Sequence, residues 1–234
     1  RPKSSAASDV YKRQIFLLLI LFIVAGCGSE EGSNDSDFND DQVQEKNNVL
    51  LIIADDLGLD ATVGYNIGDQ KPSMPTLQKL INSGIKFNNV WSNPVCTPTR
   101  GTILTGKYGY RTSVLKVDDV LSTSEASIFK KLNDNTNYSS AFIGKWHLSG
   151  RPPDRNHPNN MGIEYYSGIL GGGVQNYFNW TLSKNGQNSN VNQYITSFFT
   201  DEAISWINNQ SNPWFLCLSY NAPHTPFHLS LIHI

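Results

Sequence analysis

Apolar positions along the chain fall into short runs of strand length, separated by stretches in which they recur at helical spacing. Residues 48–54 are nearly continuously apolar, the pattern of a strand covered on both faces in a parallel sheet, and Asp55 and Asp56 follow its C-terminal end. Between 74 and 82, Met74, Leu77, Leu80 and Ile81 recur at helical spacing, and Gly84 is placed to stop that helix. Ser122 with Glu125 has the form of a capping box before a helix through Leu132, and 140–143 reads as a short strand with Gly144 to His147 at its end. The alternation repeats with a helix over 200–208 and a buried strand over 214–220, which ends in Asn221-Ala222-Pro223-His224. Strands alternating with helices predict an α/β fold with a largely parallel sheet. In such sheets ligands bind beyond the carboxyl ends of the strands, so Asp55, Asp56, Lys145, His147 and His224 should share one rim. The segment Gly168 to Gly173 reads most simply as a loop, with an anion nest as the alternative.

Polar and apolar blocks also divide the chain along its length. Residues 15–25 are an apolar run, short for a bilayer span, preceded by Lys12 and Arg13; this is the core of a signal peptide. It ends in Val24-Ala25-Gly26-Cys27, which resembles the lipobox of bacterial lipoproteins and implies an acylated Cys27 and an exported, membrane-anchored protein. An uncleaved anchor is the alternative. Residues 28–46 are Ser, Asn, Asp, Glu and Gly with little apolar, too polar to offset ordering entropy, and are expected to be a flexible linker. Residues 1–14 and 229–234 resemble translated adaptor sequence, so the natural chain is expected to start differently and to continue past residue 228. The catalytic part would then be 47–228; the chain after residue 46, about 190 residues, is enough for one α/β core by usual domain sizes.

A net charge of -2 gives no basic surface for nucleic acid. The three cysteines read separately rather than as a disulfide. Cys27 belongs to the lipobox, Cys217 lies in an apolar run where a buried thiol is inert, and Cys96 stands in a run rich in chemistry.

That run is Cys96-Thr97-Pro98-Thr99-Arg100-Gly101, then Leu104-Thr105-Gly106. Pro98 suits the first helical position and Thr97 can cap, so Cys96 should sit at a helix N-terminus, where free N–H groups favour negative charge. Arg100 would add a fixed fork for a tetrahedral oxyanion. Asp55 and Asp56 repel one another, and adjacent ionised carboxylates commonly hold a hard cation, although Asp also caps loops. Lys145 and His147, two apart, would face the same way on an extended segment, or could simply end a strand. His224 lies between two prolines. His157, His228 and His233 read as surface or loop residues.

The run fits CxPxR followed by LTG. With Asp55-Asp56, Gly144-Lys145-Trp146-His147-Leu148 and Pro223-His224-Thr225-Pro226 in order, the chain resembles the type I sulfatases over about 47–228. Thr99 stands where that family more often has serine. The resemblance implies an alkaline-phosphatase-like α/β fold, here incomplete at its C-terminus, and conversion of Cys96 to formylglycine by a formylglycine-generating or anaerobic sulfatase-maturating enzyme. It implies calcium held by Asp55, Asp56 and the modified Cys96, with further ligands and a late lysine beyond the visible end. Lys145 would hold nucleophile or sulfate oxygens, His147 would take the proton from the second hydroxyl of the aldehyde hydrate, and His224 would help protonate the departing alcohol. The expected activity is hydrolysis of sulfate esters, with sulfated carbohydrate the favoured substrate. A phosphonate or phosphate ester hydrolase of the same superfamily, and an inactive chain that binds sulfated glycans, remain as alternatives.

Overall fold

The computed structural model describes residues 47–227. Cys27, the apolar run at 15–25, the 28–46 linker, His228, His233 and the 229–234 tail lie outside the described residues.

Among the described residues six strands form one mixed sheet. They are β1 (Val49–Asp55), β2 (Ser139–Lys145), β3 (Tyr165–Ile169), β4 (Trp180–Lys184), β5 (Gln187–Val191) and β6 (Trp214–Pro223), in the spatial order β1-β6-β2-β3-β4-β5. The first four in that order are parallel, while β4 and β5 are antiparallel additions. The helices are α1 (Pro75–Ser83), α2 (Cys96–Thr105), α3 (Gly109–Thr112), α4 (Ile128–Asn135), α5 (His157–Asn160) and α6 (Ile195–Asn208).

The period-2 alternation of the central strands explains why the sheet needs cover on both sides. Phe142 of β2 and Phe215 and Cys217 of β6 join Leu104 of α2, Phe129 of α4, Trp146 and Tyr166 in one buried cluster. Ala141 and Ile143 of β2 and Leu216 and Leu218 of β6 point the other way, to Ile195, Phe199 and Ala203 of α6. Each fully buried side chain of this kind contributes about 1.5–3 kcal/mol of transfer free energy. Gly144 fixes how closely the strands meet. Its φ is +115°, it pairs with Ser219 on one side and Gly168 on the other, and a Cβ there would collide with the Ser219 carbonyl.

Several elements depart from the sequence pattern. β1 is an edge strand, with Val49, Leu50 and Ile52 about half exposed and only Leu51 and Ile53 packed on the core. Among the described residues only one of its faces is covered. α1 buries none of its residues despite its apolar spacing, because no described element packs over it. The cap of α4 is Ser127, whose side chain accepts from the Lys130 N–H, rather than the Ser122 of the expected capping box. α6 begins five residues earlier than the 200–208 pattern, and Gly168 and Ile169 belong to β3, so only the segment after them is loop.

Candidate active site

The strand ends converge on the first turn of α2. Cys96 is the first residue of that helix and Val95 is its extended N-cap. Pro98 thus sits third rather than first, where its missing N–H costs nothing because the first turn has no intrahelical acceptors to fill. Thr97 is not the cap; its Oγ1 accepts the Asp118 N–H at 3.2 Å. The Cys96 thiol is free and half-buried.

One helical turn on, Arg100 is buried beneath the strand ends. Its Nη1 donates to the Lys145 carbonyl and to Ser219 Oγ (2.5 and 2.8 Å), and its Nη2 donates to Asp55 Oδ1 (3.1 Å). The fork is thereby taken by protein acceptors, which tie α2 to β1, β2 and β6, and only Nε is buried without a partner. Asp55 carries a second cation, since Lys145 Nζ lies 2.5 Å from its Oδ2. A register irregularity between Ile53 and Asp55 against β6 turns this carboxylate inward. Asp56 adopts the left-handed conformation at φ 63° and stays exposed.

The two histidines are held differently. His147 does not face the same way as Lys145, as simple alternation predicted, because its backbone turns left-handed at φ 58°. Lys145 goes to Asp55, whereas His147 Nε2 bonds Asp118 Oδ1 at 2.9 Å. His147 is almost fully buried. Burial holds its pKa below the usual histidine value; the Asp118 hydrogen bond and charge oppose this, while Lys145 and Arg100 add to it. His224 directs Nδ1 to the Thr225 carbonyl at 2.7 Å and places Nε2 3.7 Å from Asp56 Oδ2.

Cys96 forms part of the wall of two cavities. One, of about 320 Å³, is lined by Asp55, Asp56, Asn93, Cys96 and Arg100. The other, of about 810 Å³, is lined by Cys96, Asp118, His147, Arg151, Gly172 and His224. Asp55 and Asp56 thus lie on one side of position 96, and the two histidines with Asp118 on the other. The oxygen donors of the smaller cavity suit a hard cation in kind. They do not suffice in number, since among the described residues no three His, Cys, Asp or Glu side chains converge as a metal site.

His157 is not a surface residue. It is buried, its Nδ1 accepts from Trp146 Nε1 at 3.1 Å, and its Nε2 donates to the Leu121 carbonyl at 2.7 Å. Cys217 is buried and its thiol is pushed up to about 12 by burial, which leaves it inert. Asp118 and Ser219 carry no signal of their role in the sequence, where nothing separates them from their neighbours.

The family model described as Sulfatase matches residues 47–230. Arylsulfatase J of Mus musculus is 30% identical over 199 residues, covering 76% of this chain and 32% of that protein. The N-acetylglucosamine-6-O-sulfatase of Bacteroides thetaiotaomicron is 28% identical over 197 residues, covering 80% of this chain and 33% of its own length. Among solved structures, Ps i-CgsB in complex with k-i-k-neocarrahexaose superposes with a TM-score of 0.67 at 30% identity, over 80% of this chain and 47% of that one. The chain therefore spans about a third of those two curated relatives.

Proposed function

This chain belongs to the sulfatase family, and we propose that the whole protein hydrolyses sulfate esters of carbohydrates to alcohol and inorganic sulfate, using position 96 as nucleophile. The observation that carries this reading is the placement of Cys96 at the start of α2, between a carboxylate-lined and a histidine-lined cavity. Support for a sugar substrate comes from a relative named as an N-acetylglucosamine-6-O-sulfatase and from similar solved structures in complex with k-i-k-neocarrahexaose and with D-Glucosamine-2-N, 6-O-disulfate.

An unmodified thiol is a few per cent thiolate at neutral pH, by its ordinary pKa of about 8.5. Formylglycine at this position would supply a hydrated aldehyde, with one oxygen for attack on sulfur and a second whose deprotonation would release sulfate. Asp55, Asp56 and position 96 would provide part of the shell for a calcium ion, which would supply charge stabilisation of the sulfate. The remaining chemistry falls to the chain's own side chains. Arg100 and Lys145 neutralise Asp55 and lock the strand ends together, so position 96 is set against a rigid rim. His147, neutral because it is buried, is able to take the proton from position 96. His224 has Nδ1–H committed to the Thr225 carbonyl, so Nε2 is the nitrogen left to face the departing alcohol, and it can give a proton only from the imidazolium form of the ring. We further propose that residues 1–27 direct export and that Cys27 carries the lipid, with 28–46 as the tether.

The test is turnover by the complete protein made with a maturation enzyme. Sulfate release from a 6-O-sulfated amino sugar is compared with phosphate and phosphonate ester hydrolysis at equal concentration. Peptide mass spectrometry across residues 92–100 reports the state of position 96. The proposal expects the aldehyde and a preference for sulfate; an intact alkylatable thiol in active material, or faster phosphonate cleavage, would overturn it.

A further inference from the structure

Two residues with left-handed backbones are bonded to each other beside the nucleophile. Asp118 (φ 64°) and His147 (φ 58°) are both non-glycine, and backbone conformations of this kind persist where the surroundings over-determine them. What they hold in place is one imidazole. The Asp118 carboxylate only accepts hydrogen bonds at neutral pH, so the nitrogen 2.9 Å away, Nε2, must carry the proton. Nδ1 is left shielded from solvent, with no hydrogen-bond partner among the described residues. A neutral imidazole with Nε2–H has its lone pair on Nδ1.

Asp118 is itself registered on the helix that starts with the nucleophile. Its N–H reaches Thr97 Oγ1 at 3.2 Å, and Thr97, which is fully buried, is the residue next to Cys96. The connection therefore runs from the first turn of α2 through the Asp118 backbone and carboxylate to His147. Position 96, Asp118 and His147 line the same cavity. Gly172 closes the other side of the ring: a Cβ there would lie 2.6 Å from His147 Cε1 and 2.8 Å from Nε2. Position 172 therefore has room for no side chain beside the imidazole.

We propose that Asp118 is the positioning residue of the base: it fixes His147 in the Nε2–H tautomer, leaves Nδ1 as the atom that accepts the proton, and sets the ring's distance from position 96 through Thr97. The inference rests on the reading of His147 as the base for position 96. The charged groups that bear on the imidazole are Asp118, Lys145 and Arg100. Arg151, 3.6 Å from the other Asp118 oxygen, is largely exposed and is not needed for the effect.

The experiment has one arm that needs no turnover. In the full-length protein labelled with 15N-histidine, with the His147 signals identified by their loss in His147→Gln, the neutral ring is expected to show Nε2 protonated and Nδ1 bare. Asp118→Ala should abolish that preference. In the second arm, pH–rate profiles with a sulfate ester are recorded for the matured protein. Asp118→Ala should lower kcat about 10- to 100-fold with KM within about twofold, as expected for a base displaced by an ångström or less. Because Asp118 raises the His147 pKa, the acid limb of kcat should also move to lower pH. Asp118→Glu should recover part of kcat, and Thr97→Val should lower kcat without moving the limb. An Nδ1–H tautomer in the wild type, or an acid limb unmoved by Asp118→Ala, would overturn the proposal. Absence of sulfate ester turnover in the wild type would instead count against the sulfatase mechanism, while the tautomer measurement would still decide the role of Asp118.

Discussion

Replacing Lys145 with Met tests whether the floor of the site is held by charge. The Lys145 ammonium is wholly buried and lies 2.5 Å from Asp55 Oδ2, while Asp55 is only 6% exposed. Methionine keeps most of the volume of the stem, so the cavity penalty is small and the loss is electrostatic. Removing one partner of a buried pair costs about 3–5 kcal/mol because the other charge stays behind. Here Arg100 Nη2 still donates to Asp55 Oδ1 at 3.1 Å, which places the expected loss at the lower end, about 3 kcal/mol. For a domain of this size that corresponds to a fall in Tm of roughly 6–12 °C. The second variant, Asp55→Asn with Lys145→Met, removes the stranded charge and leaves an amide oxygen for Arg100. It should be less destabilised than the sum of the two single changes by at least about 1.5 kcal/mol. Urea unfolding followed by tryptophan fluorescence, in chelator so that only protein charges are compared, gives all four corners of the cycle. A loss below about 1 kcal/mol for Lys145→Met, or additivity of the two changes within about 0.5 kcal/mol, would show that the pair is not the constraint described here.

Gly172→Ala should push the His147 ring by the overlap its Cβ creates at 2.6 Å, lowering kcat by about 10-fold or more while leaving the urea midpoint near that of the wild type; unchanged kcat would mean that the ring yields freely. His157 is buried with a pKa held below the usual histidine value by burial, so the unfolded chain binds the proton more readily and stability falls as pH drops below about 6.5, by at most about 1.4 kcal/mol per pH unit. His157→Gln should flatten that part of the melting curve against pH between 7 and 5, and an equal slope in both proteins would remove His157 from the account. Cys27→Ser should release the complete protein from membranes or leave its precursor unprocessed; unchanged partitioning into detergent would count against lipidation.

The sequence located the strands that matter because their apolar runs are continuous, and β2 and β6 are buried on both faces as that pattern requires. β1 carries an equally apolar run, but among the described residues nothing covers the face of Leu50 and Ile52, since periodicity reports what a strand can bury and not which neighbour buries it. β5 is polar and exposed along most of its length, so its own pattern gives no strand. The signal that marks the β4–β5 hairpin is the Asn185-Gly186 pair, left-handed at both positions and joining Lys184 to Gln187 as a two-residue turn.

The site divides along the same line. Cys96, Asp55, Asp56, Lys145, His147 and His224 stand out because each is a chemically unusual residue at the end of an apolar run or in a run shared with a known family. What the sequence could not show is who partners whom. Lys145 and His147 are two residues apart, yet a left-handed turn at His147 sends one to Asp55 and the other to Asp118. Asp118 sits beside Asp119, another aspartate, which caps its own loop by accepting from the Leu115 and Lys116 N–H groups at 2.8 and 2.9 Å. Two adjacent acids of identical composition thus take opposite roles, one holding a turn and one holding a histidine. The difference lies in which carboxylate faces α2 and the end of β2, a property of the packed sheet that no spacing along the chain encodes.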